Sequence, residues 1–104
     1  MIIVNTPKIH NKKITETLGI ARGSMVRARN VGQDIFAGLK NIIGGEISEY
    51  TKLQAQSREQ ALQRMIDEAE HMGANAILNV RLTTSMVMQG CSEILAYGTA
   101  VLVE

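Results

Sequence analysis

From Ser48 to Met72 the apolar residues recur at the spacing of an α-helix, and no other stretch limits the fold as much. Tyr50, Leu53, Ser57, Ala61, Met65, Ala69 and Met72 follow one another at three- and four-residue steps, with Leu62 and Ile66 widening the stripe. Lys52, Arg58, Glu59, Arg64, Asp67, Glu68 and Glu70 take the opposite face. At about 1.5 Å per residue such a helix is roughly 37 Å long, the width of a small domain. The other apolar segments are then short elements for it to cover. Ser48 and Thr51 are candidate N-caps, the second with Gln54 at capping-box spacing. Gly73 is placed to take the left-handed conformation that stops the helix, with His71 in the last turn.

Around this helix the remaining pattern is mostly strand. Met1–Val4 is a short apolar run closed by Asn5-Thr6-Pro7, since proline has no N–H to give to a ladder. Lys13–Ala21 alternates, with Ile14, Leu18 and Ile20 assigned to one face and Thr15 and Thr17 to the other. Arg22-Gly23-Ser24 is read as an interruption, with Met25–Arg29 continuing the strand past a bulge. Asn30, followed by Gln33, signals the start of a first helix whose apolar stripe is Val31, Ile35, Phe36, Leu39, Ile42 and Ile43. Gly32 and Gly38 weaken that helix, and Gly44-Gly45 ends it.

After the long helix, Ala76–Met88 reads as a strand with Ala76, Leu78, Val80 and Leu82 on one face and Asn79, Arg81 and Thr83 on the other. A turn at Gln89–Ser92 leads to a closing strand, Glu93–Val103, and the two form a hairpin. The expected fold class is α+β, a two-layer antiparallel sheet with helices on one face. The closing strand is apolar on both faces, so its second face needs cover, and another subunit is the simplest source. The protomer of a homo-oligomer is therefore expected.

The 104 residues make one domain, 1–104, whose core must be aliphatic because only Phe36, Tyr50 and Tyr97 are aromatic. No run approaches the ~20 apolar residues of a membrane helix, and no signal peptide is recognised. A single cysteine, Cys91, excludes an internal disulfide and suits a reducing, cytoplasmic setting. Residues 1–45 hold seven basic and two acidic side chains, yet the whole chain is near neutral at +1. No aromatic residues are interleaved with the basic ones for base stacking, which disfavours nucleic acid as a partner.

Three stretches resemble the YbjQ family of small bacterial and archaeal proteins, labelled as heavy-metal-binding but with no established function. They are Asp34-Ile35-Phe36-Ala37-Gly38 running on to Ile43-Gly44-Gly45 and Tyr50; Gly73-Ala74-Asn75-Ala76; and Glu93-Ile94-Leu95-Ala96-Tyr97-Gly98-Thr99-Ala100-Val101. The resemblance covers nearly the whole chain. It implies an α+β protomer assembled as a ring-shaped homo-oligomer, a pentamer, and it makes a metal ion the cofactor to consider. It supplies no ligand set.

The residues with metal-ligating chemistry are His10, His71 and Cys91, and a ring would bring copies of the two histidines from neighbouring subunits together. Met86-x-Met88-x-x-Cys91 adds soft sulfur donors suited to Cu(I), with both methionines assigned to one strand face; methionine is equally a filler of aliphatic cores. Asp67 and His71 lie one turn apart on the helix, where an ordinary surface ion pair explains them. Anion binding is a second chemistry: Gly44 and Gly45 precede a helix N-terminus, and Arg22, Ser24, Arg27 and Arg29, near the start of the first helix, offer cationic and hydroxyl groups as an alternative anion site. A plain turn explains the glycines equally well, and no phosphate-loop or dinucleotide fingerprint is present. Ser24, Ser48, Ser85 and Ser92 lack a nucleophile context, and no paired-carboxylate or HExxH motif occurs. The chain is therefore expected to be a non-enzymatic homo-oligomeric binding or assembly module, holding a metal ion or small anion between subunits. An enzyme with an inter-subunit active site is the alternative.

Overall fold

The computed structural model describes residues 1–28, 42–43 and 46–104. In chain order its elements are β1 (Ile2–Ile3), β2 (Ile14–Ala28), β3 (Ile42–Ile43), β4 (Glu46–Ile47), α1 (Ser48–His71), β5 (Ala76–Met88) and β6 (Cys91–Val103). The long helix and the closing hairpin stand where periodicity places them. The helix expected from Val31 lies outside the described residues except at its end. There, Ile42 and Ile43 form β3, which pairs antiparallel with β4, so these two residues belong to a strand pair rather than to a helical stripe. β-branched side chains favour that extended state.

The main sheet has the order β1-β5-β6-β2. β5–β6 and β6–β2 are antiparallel, but β1 runs parallel to β5 through Ile2↔Ala76 and Ile3↔Ile77. The sheet is thus mixed, not purely antiparallel. A short first strand, far from β5 in sequence, is free to add in either direction at the edge.

α1 packs across β2 and β6. Its buried stripe is Ser57, Ala61, Met65 and Ala69, each separated by four residues, as one face of a helix requires. Ala61, Met65 and Ala69 close a core with Ala21, Ile77, Ile94, Ala96 and Ala100. The small residues let the helix lie unusually close to the sheet. A Cβ at Gly23 would stand 2.5 Å from the Ala61 carbonyl oxygen and 2.7 Å from the Arg64 carbonyl carbon, so the helix backbone rests directly on β2. Gly23 therefore interrupts nothing: β2 runs through it in regular register, and its irregularities lie earlier, between Ile14 and Glu16 and between Thr17 and Gly19. The second shift breaks the expected shared face, since Leu18 packs towards the helix-side core while Ile20 is 65% exposed.

The helix ends as its sequence requires. Gly73 has φ +88°, its N–H donates to the Glu70 carbonyl at 3.0 Å, and the Ala74 N–H donates to the Ala69 carbonyl at 3.0 Å. These paired bonds form a Schellman motif, with Ala74 packing against the core as its apolar member. Asn75 then extends the sheet with its side chain. Its Nδ2 donates to the Val103 carbonyl and its Oδ1 accepts from the Val103 N–H, both at 2.8 Å.

The second face of the sheet is covered at one end by the chain itself. Val4 and Ile9, from the N-terminal segment, pack on Ala76, Leu78, Val101 and Val103. That cover stops short. Farther along, Val26 and Val87 are 51% and 53% exposed. On the flank of β5 that α1 does not reach, Leu82, Met86 and Met88 are 43%, 77% and 66% exposed.

Candidate functional site

The expected metal ligands are spread along the sheet. Cys91 opens β6, half-buried, with Met88 and Ala28 as its cross-strand partners. His71 is the exposed last residue of α1, and His10 is exposed in the loop before β2. That loop, residues Thr6–Lys12, lines an open hollow of about 630 Å³. Both histidines lie at the Ala76/Val103 end of the sheet, anchored there by the contacts of Ile9 and the hydrogen bonds of Asn75. Cys91 lies at the other end, roughly 40 Å away along β6 at about 3.3 Å per residue. Within one copy Cys91 does not meet either histidine. Among the described residues no group of three or more His, Cys, Asp or Glu side chains is arranged to hold a metal. Asp67 accepts a hydrogen bond from Gln63 Nε2 at 2.9 Å, one turn towards the N-terminus from where His71 stands.

The methionines also separate. β5 holds an extra residue at Val87, so Met86 pairs with Ser92 and Met88 with Cys91. Adjacent residues of β6 project to opposite faces, and their partners follow them. Met88 and Cys91 are therefore the sulfur pair that can meet, and the expected shared face of Met86 and Met88 is lost to the bulge.

Of the expected anion-binding residues, Arg29, Gly44 and Gly45 lie outside the described residues. Arg27 is described: it is half-buried near the end of β2, opposite Ser92, and its Nε is enclosed with no hydrogen-bond partner among the described residues. An enclosed donor of this kind is costly unless something accepts from it.

Two further features were not legible from residue spacing. A second bulge interrupts β5 between Leu78 and Arg81, with Asn79 at φ +53°. It breaks the alternation expected for this strand: Leu78 joins the N-terminal segment's core, Val80 packs towards the helix-side core, and Arg81 becomes the partner of Tyr97. Because Arg22 is Tyr97's partner on the other side, Arg22, Tyr97 and Arg81 form one row across three strands. A bulge leaves no composition signal beyond a residue able to adopt φ > 0, and asparagine is one such residue.

Comparison with known proteins places this geometry in context. The model of the YbjQ family, described as "Putative heavy-metal-binding", matches residues 1–104. A UPF0145 protein of Methanosarcina acetivorans is 55% identical over 97% of this chain and 95% of its own length. A UPF0145 protein of Dehalococcoides mccartyi is 51% identical over the full length of both chains, 100% of each. A UPF0145 protein of Archaeoglobus fulgidus is 54% identical over 97% of this chain and 94% of its own length. Among solved structures, a protein of unknown function from Pediococcus pentosaceus matches with a TM-score of 0.62 at 18% identity, over 100% of this chain and 98% of the other, a likeness of fold.

Proposed function

The chain belongs to the YbjQ family, and from that premise we infer that it is a homo-oligomeric assembly module, a ring of five copies that holds a metal ion or small anion where subunits meet. The observation that carries this reading is the apolar surface one copy leaves open, with Ile20, Val26, Leu82, Met86, Val87 and Met88 exposed on it. Large exposed apolar surface on a small domain is characteristic of association sites. The second half of β5, residues 81–88, is exposed throughout and carries a single charged side chain, Arg81. Long, weakly charged edges of this kind pair with other chains unless something covers them.

Assembly also supplies what one copy lacks for metal binding. Cys91 at one end and the histidines at the other become neighbours only between subunits, and the exposed Met88 beside the half-buried Cys91 favours a soft ion. The family's description points the same way. Arg27 and Arg29, with Gly44 and Gly45, supply the anion-binding alternative. The module is read as non-enzymatic and, with its unpaired Cys91, as cytoplasmic.

Sedimentation equilibrium tests assembly directly. The expected particle is five times the chain's 11.4 kDa, and a single-copy species at micromolar concentration overturns the reading. Titration of the apo protein with Cu(I), Zn²⁺ and Ni²⁺, with Cys91→Ala as control, tests the metal. Binding no tighter than micromolar rejects the metal, and binding unchanged in the variant removes Cys91 from it.

A further inference from the structure

Arg22, Tyr97 and Arg81 project together from the face of the sheet that α1 does not cover. Ala21 and Gly23 lie beneath the helix, so Arg22 between them points away from it, and the cross-strand register carries Tyr97 and Arg81 to the same side. With strands about 4.8 Å apart, the two arginine backbones stand about 10 Å from one another, with the phenol between them. Both arginines are exposed and Tyr97 is half-buried. Ser24 and Thr83 flank Leu95 in the next row of the same face, which adds two hydroxyl groups. Along β6 the nearest carboxylate on this face is that of Glu93, about 13 Å from Tyr97.

The chain adopts a costly local conformation to make this row. In an unbroken ladder Val80 would oppose Tyr97, and Arg81 would point to the helix side. The extra residue, with Asn79 at φ +53°, sends Val80 into the core and turns Arg81 outward. Bulges commonly re-aim a side chain in this way beside functional sites. Arg81 is then fixed in place: its Nη1 donates to the Asn5 and Val80 carbonyls, each at 3.0 Å. A guanidinium has five N–H groups, so those on Nε and Nη2 remain to be offered.

We propose that this row binds a small phosphate-bearing anion, gripped between Arg22 and Arg81 over the ring of Tyr97. Guanidinium forks match phosphate oxygens in two-point contacts, and a site with two of them and no adjacent carboxylate on β6 among the described residues is selective for negative charge. The Tyr97 ring gives an apolar floor on which a planar base can lie. Inorganic phosphate and a nucleoside monophosphate share the chemistry recognised. The inference goes beyond the proposed function: the row is separate from the Arg27, Arg29, Gly44 and Gly45 site and is complete within one copy.

Calorimetric titration of the full chain at low salt, with inorganic phosphate and with AMP in separate runs, tests it. Arg22→Gln and Arg81→Gln are each expected to weaken binding by about tenfold or more, as loss of a charge-assisted hydrogen bond does. Arg58→Gln, an exposed helix residue outside the row, leaves it unchanged. Tighter binding of AMP than of phosphate, lost in Tyr97→Ala and kept in Tyr97→Phe, identifies a ring-bearing ligand; equal binding identifies free phosphate. No binding of either probe at millimolar concentration, or a double variant Arg22→Gln/Arg81→Gln that binds like the wild type, overturns the proposal. Sedimentation of the same samples keeps the two readings apart. An assembled protein that binds neither probe rejects this site alone, whereas a single-copy species that binds rejects assembly and leaves the site standing.

Discussion

β5 is one continuous strand with two unlike halves. Ala76, Ile77 and Leu78 are buried, held between α1 on one side and the N-terminal segment on the other. From Arg81 to Met88 every residue is exposed, although Leu82, Met86, Val87 and Met88 are as apolar as anything in the first half. Hydrophobicity does not separate the halves; the presence of covering elements does. The helix follows β2 and β6, where Ala61, Ala69, Ala21 and Gly23 allow close approach, and it leaves the outer half of β5 bare. A strand that is covered at one end and bare at the other leaves an unpaired edge on which a further chain can add.

Substitutions in the two halves should behave in opposite ways. The largest effect is expected for Met65→Ala at the covered end, where removing a fully buried side chain should cost about 3 kcal/mol by urea denaturation. A loss under 1 kcal/mol would mean that the helix–sheet interface is far looser than described. Gly23→Ala should cost about 2–3 kcal/mol, because the added methyl meets helix backbone that cannot yield by a side-chain rotation. A neutral result there would show that α1 does not rest on β2. Asn75→Ala, which removes both bonds to Val103, should lower the thermal midpoint by the equivalent of about 1–2 kcal/mol, and Asn75→Asp should fail to restore it because a carboxylate cannot donate to the Val103 carbonyl.

The smallest intrinsic effect is expected at the bare end. Met86→Ser and Met88→Ser should change the stability of a dissociated copy by no more than about 0.5 kcal/mol. In the assembled protein the same changes should lower the melting temperature in a concentration-dependent way, since association stabilises by mass action. Equal, concentration-independent melting of variant and wild type would dissolve the contrast between the halves and remove Met86 and Met88 from any subunit contact.

Much of the fold is legible in the residues because it depends on local repetition. α1 is fixed by its four-residue stripe and stopped at Gly73, whose freedom at positive φ the Schellman motif requires. The hairpin from Ala76 to Val103 is fixed by two long extended runs around a short turn. What could not be read this way involves one-residue choices. The bulges at Asn79 and Val87, the shift before Gly19, the parallel placement of β1 and the strand character of Ile42 and Ile43 each follow from a partner distant in sequence. The candidate site suffers most, because a single inserted residue exchanges the faces of every side chain beyond it. It turns Arg81 towards Tyr97 and parts Met86 from Met88.

The sequence alone determined that this chain carries one long amphipathic helix, a terminal hairpin and an aliphatic core, since periodicity and cap residues act over a few neighbours. Only the tertiary structure decided which side chains share a face, which end of the sheet is sheltered, and that two arginines flank one tyrosine. Those outcomes depend on strand register, and register is set by the packing of whole elements against one another rather than by any residue's own preference.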